Sequence, residues 1–127
     1  MRKILALDQS SRITGWSIFA DGELLGYGKF NAETAGSDIA GRLSYIRNKV
    51  RNLIEEHEIT EVIFEDIQMQ GNVVNNVQTF KVLAEVFGVI SELLVELKIP
   101  QSTVLASSWK SVLGIKGRAR ADQKRAA

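Results

Sequence analysis

The chain of 127 residues contains no cysteine. Without thiols it has no disulfide framework, no thiolate zinc site and no cysteine nucleophile. Any metal ion must therefore be bound by oxygen ligands or by His57, which is the single histidine. The absence of cysteine also fits a cytoplasmic location, where we expect the protein to act.

Long apolar runs and proline are almost absent as well. The longest apolar runs have only four or five residues, against roughly 18 for a membrane-spanning helix, and residues 1–3 lead directly into a predicted strand rather than a signal peptide. Hydrophobic residues make up 45% of the chain, and Pro100 is the one proline. This composition is typical of a folded globular protein, and we expect residues 1–127 to form one domain.

A strong overall charge is also missing, because the formal net charge is only +1. The charge is unevenly distributed, however, since residues 116–125 contain five basic side chains and a single acid, Asp122, and so carry +4. A basic segment of this kind can bind a polyanion locally, but it can equally be a solvated tail. The sequence alone leaves both interpretations open.

Five segments have the pattern of β-strands. The run at residues 4–7 is continuously apolar and indicates a central strand buried on both faces. Asp21-Gly22 predicts a type I′ turn between the second and third strands, because both residues tolerate positive φ. The predicted strands are residues 4–7, 16–18, 24–30, 62–64 and 103–105.

Apolar residues at spacings of three and four predict two long helices, residues 39–54 and 77–97, with the second stopped by Pro100. A short helix is expected over residues 107–113 and a last helical segment from Ala121. This order predicts an α/β fold, a mixed five-stranded sheet with helices on both faces. The right-handed crossover rule makes the fourth strand parallel to the first.

Acidic residues follow two of the apolar strands, Asp8 after the first and Glu65-Asp66 after the fourth. If those strands are neighbours, Asp8 and Glu65 stand side by side, and their repulsion favours a bound cation. Mg²⁺ or Mn²⁺ prefers such oxygen ligands. Two such ions about 3.5–4 Å apart can activate a water that hydrolyses a phosphodiester and can stabilise the leaving oxygen. Strand alternation turns Asp66 to the opposite face, so a metal role and a surface role are open for it.

These residues resemble a known family. Residues 4–16, in which Asp8 precedes a serine-rich turn and Thr14-Gly15-Trp16, resemble the opening motif of RuvC-type Holliday junction resolvases of the RNase H-like superfamily. Residues 64–66 resemble the second acidic motif, residues 81–88 the helix after it, and residues 109–117 the basic DNA-contacting segment. The stretch 114–120 resembles the phage-type members in particular, which implies that the protein acts in the cytoplasm of a bacterium or of a phage-infected host.

The resemblance implies a structure-selective endonuclease that cleaves Holliday junctions and other branched DNA as a homodimer with Mg²⁺, for which Mn²⁺ can substitute. It makes Asp8 and Glu65 catalytic metal ligands, with Asp66 as a weaker candidate. The residues expected to meet DNA are Ser10, Arg12, Gln68, Met69, Asn72, Lys110, Lys116, Arg118, Arg120 and Lys124.

The sequence departs from the family pattern in two places. Resolvases of this type usually complete the site with further acids on a C-terminal helix, and here that helix has only begun at Ala127. We therefore expect the end of the last helix to be lacking, and the sequence leaves open whether this form is active. Asp122 is not assigned as a metal ligand. Gln68 stands where relatives often have an aromatic wedge, with Met69 as an uncertain substitute.

Three other functions are compatible with the sequence. Asp8 to Ser11 ahead of Thr14-Gly15 also resembles the first phosphate-binding hairpin of sugar kinases and actin-like ATPases, although that fold needs two such domains. A branched-DNA-binding module of the same fold without catalysis is a second alternative. A nuclease acting on RNA is a third.

Overall fold

The computed structural model describes residues 1–67 and 73–105, with only the backbone for residues 73–76. Five strands form one sheet in the order β3-β2-β1-β4-β5. The elements in chain order are β1 (Lys3–Asp8), β2 (Ile13–Ala20), β3 (Glu23–Asn31), α1 (Ile39–His57), β4 (Glu61–Glu65), α2 (Val73–Glu96) and β5 (Gln101–Val104), with a short 3₁₀ turn at Ala32–Ala35.

The central strand β1 has a different kind of neighbour on each side. It pairs antiparallel with β2 and parallel with β4, and β4 in turn pairs parallel with β5. A parallel neighbour requires a crossover connection, and α1 and α2 provide the two crossovers. The predicted mixed sheet, with an antiparallel meander and parallel strands, is confirmed.

The turn between β2 and β3 is the predicted type I′ turn. Asp21 has a φ of 53° and Gly22 a φ of 80°, and positive φ at both central residues defines this turn. One feature of the hairpin does not follow from the sequence pattern. The register shifts after Ile18, which faces Gly26, to Phe19, which faces Leu24, so that Leu25 is the extra residue of a β-bulge.

The two faces of the sheet carry separate apolar clusters. Leu5, Leu7 and Phe64 belong to the larger cluster, which includes the buried residues of both α1 and α2. Ala6 and Ile63, which alternation turns the other way, belong to a second cluster with Phe19 and Val104. Both described helices therefore pack on the first face, and the helices predicted over residues 107–113 and from Ala121 fall outside the described residues.

The first face is packed tightly at the contact between Trp16 on β2 and Gly28 on β3. These residues are partners in the β2–β3 register, and a Cβ atom at position 28 would lie 2.7 Å from Cζ2 of the indole ring. A Cβ atom does not fit at such a distance unless the indole ring shifts. Gly28 is thus required for this contact, and the indole ring also lies 6.1 Å from the ring of His57, centroid to centroid.

Both long helices end through left-handed residues that are not glycine. Glu58, after α1, has a φ of 55°, and Lys98, after α2, has a φ of 57°. In each case a backbone N–H just beyond this residue closes the helix, from Ile59 to Ile54 O at 3.0 Å and from Ile99 to Leu94 O at 2.9 Å. The second helix therefore ends before Pro100 is reached, and its backbone begins at Val73, four residues earlier than the apolar pattern indicated.

The exposed sides of α1 and α2 are joined by ion pairs. Arg47 pairs with Glu92 at 3.1 Å and also with Glu96, and Arg51 pairs with Glu96 at 2.8 Å. Hydrogen bonds from Arg51 and then Arg47 lower the pKa of Glu96 below its usual value. Hydrogen bonds to Glu92 and Glu96 raise the pKa of Arg47. The network links the two crossover helices at the surface.

Among the described residues, no helix combines the length and the apolar character needed to cross a membrane.

Candidate active site

The two acids singled out from the sequence end neighbouring parallel strands. Asp8 is the last residue of β1 and Glu65 the last residue of β4. The parallel register pairs Leu7 with Phe64, so the next residues along each strand, Asp8 and Glu65, stand opposite each other. Adjacent strands lie about 4.8 Å apart, which is close enough for both carboxyl groups to contact one ion.

Asp8 and Glu65 also leave the sheet on the same side. Each follows a residue of the first face, Leu7 and Phe64 respectively, so alternation turns both acids to the second face. Asp8 is exposed and Glu65 is half-buried. The structure therefore brings the two residues together in an accessible position, on the face opposite to α1 and α2.

The side chain of Gln9 connects the ends of these two strands. Its Nε2 donates a hydrogen bond to Glu65 O at 2.7 Å, and its Oε1 accepts one from Glu65 N at 3.2 Å. On the other side of β4, the backbone N–H of Asp66 donates to Val104 O at 2.8 Å. The backbone around Glu65 is thus held from both flanks.

The loop from β1 to β2 is closed by two hydroxyl groups. The Oγ atom of Ser10 accepts hydrogen bonds from the backbone N–H groups of Arg12 and Ile13, both at 3.1 Å, and donates to Ile13 O at 2.9 Å. Thr14, which is fully buried, donates from Oγ1 to Ser10 O at 3.2 Å and accepts from Ser10 N at 3.3 Å. The hydroxyl of Ser10 therefore bonds within its own loop, and its predicted DNA contact stays a prediction.

Arg12 lies at the tip of the same loop. Its side chain is 69% exposed, and its Nε donates to Glu33 at 3.1 Å. Its backbone O accepts a hydrogen bond from Ala32 N, which attaches the loop to the 3₁₀ turn after β3. A guanidinium group in this position is accessible to a phosphate from solvent.

Asp66 does not share the geometry of Glu65. It follows β4 rather than ending it, it is exposed, and its Oδ1 accepts a hydrogen bond from the backbone N–H of Ile67 at 2.8 Å. This local turn is a common use of aspartate. A metal role for Asp66 stays a prediction.

The other residues expected to contact DNA fall outside the described part of the chain. They are Gln68, Met69, Asn72, Lys110, Lys116, Arg118, Arg120 and Lys124.

The donor set suits a hard divalent cation. Mg²⁺ is usually bound by one or two carboxylates, keeps several waters and takes further ligands from substrate phosphates, and Asp8 and Glu65 supply two carboxylates on one face. Within residues 1–67 and 73–105, no group of three or more potential ligands surrounds a common point. The described residues therefore fit an open site in which the two acids are part of the ligand set.

Sequence patterns do not reveal two of the residues that organise this region. Gln9 stands in the sequence only as a polar neighbour of Asp8, because its bonds to Glu65 connect residues 56 apart and depend on the pairing of β1 with β4. Thr14 stands out only as part of a motif. The one signal in the sequence is that both are polar residues, Gln9 just after the apolar strand β1 and Thr14 near the start of β2.

The chain is similar to known proteins in sequence and in fold. A family model described as crossover junction endodeoxyribonuclease RuvC matches residues 4–127. Among curated proteins, no significant match is found.

Two solved structures of RuvC from Thermus thermophilus have a similar fold. The structure in complex with a Holliday junction substrate superposes with a TM-score of 0.74 at 10% identity, over 95% of this chain and 74% of that chain. A second structure gives a TM-score of 0.64 at 13% identity, over 97% of this chain and 78% of that chain. At identities this low, the superpositions show a shared fold alone.

Proposed function

We propose that this chain, which belongs to the family of RuvC crossover junction endodeoxyribonucleases, cleaves Holliday junctions and related branched DNA in recombination and repair. Membership of this family makes the chain an endonuclease. The similar Thermus thermophilus structure contains a Holliday junction substrate. We extend this substrate to the present chain because the family match covers residues 4–127.

One observation carries the proposal. Asp8 and Glu65 end adjacent parallel strands, leave the sheet on the same face and lie on the side opposite to α1 and α2. A pair of acids in this arrangement has a chemical use when it shares a cation, because two neighbouring carboxylates otherwise repel each other. The exposure of Asp8 also gives a bulky polyanion access to the pair.

We assign Asp8 and Glu65 as ligands of a divalent cation, Mg²⁺ with Mn²⁺ as a substitute. When bound, such an ion supplies Lewis acidity, activating water and stabilising the leaving oxygen of a phosphodiester. The chain's own contribution is to hold two carboxylates side by side at the ends of rigid strands. Asp66, whose carboxylate is used in a local turn, is a secondary candidate.

DNA binding is assigned to residues around this pair. Arg12 is exposed at the tip of the neighbouring loop, and the segment 116–125 carries a charge of +4. Phosphate contacts from such residues give affinity and orientation without reading sequence. The further proposed contacts are Ser10, Gln68, Met69, Asn72, Lys110, Lys116, Arg118, Arg120 and Lys124.

We propose a homodimer as the working form. A Holliday junction has two equivalent strands to cut, and a twofold-symmetric dimer offers one site to each strand. We further propose that residues 1–127 form a single RNase H-like domain that acts in the cytoplasm.

The deciding experiment is a cleavage assay with the full chain on a four-way junction, a fork and a linear duplex of matched sequence, each strand labelled in turn. With Mg²⁺ or Mn²⁺ we expect nicks in two opposing strands of the junction, and no nicks after the metal is removed with a chelator. Linear duplex should remain uncut under the same conditions.

Two results would overturn the proposal. Tight junction binding without nicks at any metal concentration would make the protein a binding module of the same fold. Stabilisation by ATP and Mg²⁺, without any response to junction DNA, would point to the ATPase alternative instead.

A further inference from the structure

The side-chain amide of Gln9 continues the hydrogen-bond pattern of the sheet beyond the end of β1. In a parallel ladder, a residue uses its N–H and its C=O to bond the neighbouring strand. The backbone N–H and C=O of Glu65 both bond Gln9, at 3.2 Å and 2.7 Å. The partner in this case is a side chain.

Few side chains can replace a strand in this way. The contact requires one acceptor and one donor on adjacent atoms, and a primary amide has both. A carboxylate has only acceptors, an aliphatic side chain has neither group, and a thioether has only a weak acceptor. The two bonds at Glu65 therefore depend on the chemistry of glutamine.

The arrangement separates two requirements that conflict at the end of β1. The backbone after Asp8 has to turn away into the loop closed by Ser10 and Thr14. The end of β4 still needs partners for its polar backbone, because unpaired groups that are partly buried are costly. The side chain of Gln9 forms hydrogen bonds with the backbone N–H and C=O of Glu65, while the main chain after Asp8 turns into the loop.

We propose that Gln9 is a positioning residue, whose amide fixes the backbone of Glu65 and thereby the distance between the Glu65 and Asp8 carboxylates. The inference rests on the proposed function in that it takes these two acids as metal ligands. Gln9 itself contacts neither metal nor DNA in this role. Removing a residue that orients a metal ligand typically weakens metal binding about 10- to 100-fold.

The test compares wild type with Gln9→Met, which has nearly the same length and lacks both hydrogen bonds. Two quantities are measured on the folded protein, the hydrogen-exchange rate of the Glu65 amide without metal, and the dissociation constant for Mn²⁺ by calorimetry. We expect the exchange at Glu65 to accelerate about tenfold or more as its bond is removed, and the Mn²⁺ dissociation constant to rise about tenfold.

Gln101→Met is a matched control. Gln101 begins β5 and makes a similar pair of side-chain contacts, accepting from Ser91 Oγ at 2.8 Å and donating to Ser91 O at 3.3 Å. It pairs with Val62, at the opposite end of β4 from Glu65. Gln101→Met should therefore lower stability without changing Mn²⁺ binding or exchange at Glu65.

Gln9→Asn provides a second variant if Gln9→Met does not fold, since it keeps the amide and only shortens its reach by one methylene group. It should change both readouts in the same direction as Gln9→Met. Unchanged Glu65 exchange and an Mn²⁺ dissociation constant within about twofold of wild type would overturn the inference.

Asp8→Asn separates failure of this inference from failure of the proposed function. If Asp8→Asn abolishes Mn²⁺ binding while the Gln9 variants bind normally, the positioning role alone is wrong. If Asp8→Asn and Glu65→Gln also bind Mn²⁺ normally, the assigned metal site is wrong, and the positioning role fails with it.

Discussion

Asp8 and Glu65 are neighbours on the paired strands β1 and β4, and both side chains lie on the second face of the sheet. Asp8 is exposed and Glu65 is half-buried. Their relative position is set by the strand register rather than by a loop. Sites on strands are held more rigidly than sites on loops. Loss of either carboxylate should therefore affect chemistry far more than folding.

Asp8→Asn and Glu65→Gln should each reduce junction cleavage by more than about 100-fold, because loss of even an outer partner of a metal ligand costs about 10- to 100-fold. Junction binding should remain measurable, since phosphate contacts are retained. Cleavage and gel-shift assays on the same preparations measure both quantities.

Glu61→Gln is the control for these variants. Glu61 begins β4 and pairs with Arg2, at the far end of the strand from Glu65. Its cleavage rate should match that of wild type. Cleavage retained in Asp8→Asn or Glu65→Gln would refute their assignment as ligands.

Arg12→Gln should weaken junction binding and make it less dependent on salt. Neutralising one phosphate contributes about 0.9 to the slope of log K against log salt, so the slope should decrease by about one if Arg12 binds one phosphate. Titrations of labelled junction at several salt concentrations provide the slope.

Arg2→Gln is the matched control for Arg12→Gln. The side chains of Arg2 and Arg12 are both 69% exposed, and each is paired with one glutamate. Arg2 lies before β1, at the other end of the strand from Asp8. An equal decrease of slope in the two variants would indicate a general charge effect and remove Arg12 from the binding surface.

Gly28→Ala should destabilise the protein, because the added Cβ would come 2.7 Å from the Trp16 ring. Overpacking of this kind costs about 1–3 kcal/mol, or a fall in Tm of roughly 4–12 °C for a domain of this size. Thermal unfolding followed by circular dichroism measures the change.

Gly26→Ala tests the same substitution two residues away in the same strand. A Cβ at position 26 would meet no atom within 4 Å, so the Tm should stay within about 2 °C of wild type. Equal decreases of Tm in both variants would mean that strand conformation, rather than the contact with Trp16, requires glycine.

The stability contributed by Glu96 should depend on pH. Hydrogen bonds from Arg51 and Arg47 lower its pKa in the folded protein, compared with an ordinary value of 4.5. A lowered pKa means that the contribution is present above pH 4.5 and is lost as the pH falls through the folded value. Glu96→Gln should thus be less stable than wild type at pH 7, and the difference should shrink in acid.

Urea unfolding at pH 7 and at several values below 4.5 measures this difference. Glu55→Gln is the control, an exposed residue of α1 that has no ion pair within the described part of the chain. A gap between Glu96→Gln and wild type that stays constant down to low pH would show that the ion pairs do not account for it.

The sequence predicts the centre of the sheet well because β1 and β4 are strongly apolar. The run 4–7 has the pattern of a central strand, and the crossover rule then places β4 parallel to it. Asp8 and Glu65 can be brought together from the sequence for this reason. The turn at Asp21-Gly22 is equally clear, since its chemistry is local.

Several features leave no mark in the sequence pattern and could not be predicted. The bulge at Leu25 is determined by how β2 and β3 pack, and the left-handed residues Glu58 and Lys98 are not glycines that would reveal a helix end. The amide of Gln9 acquires its role only when β4 lies beside it. The DNA contact predicted for Ser10 remains a prediction, and its hydroxyl bonds its own loop.

The two neighbours of β1 become available at different times during synthesis. β2 follows directly in the chain, whereas β4 emerges only after the whole of α1. A nascent chain that has reached only the end of α1 contains Asp8 but not Glu65. The pair of carboxylates that the proposed chemistry needs is therefore complete only after β4 has been synthesised.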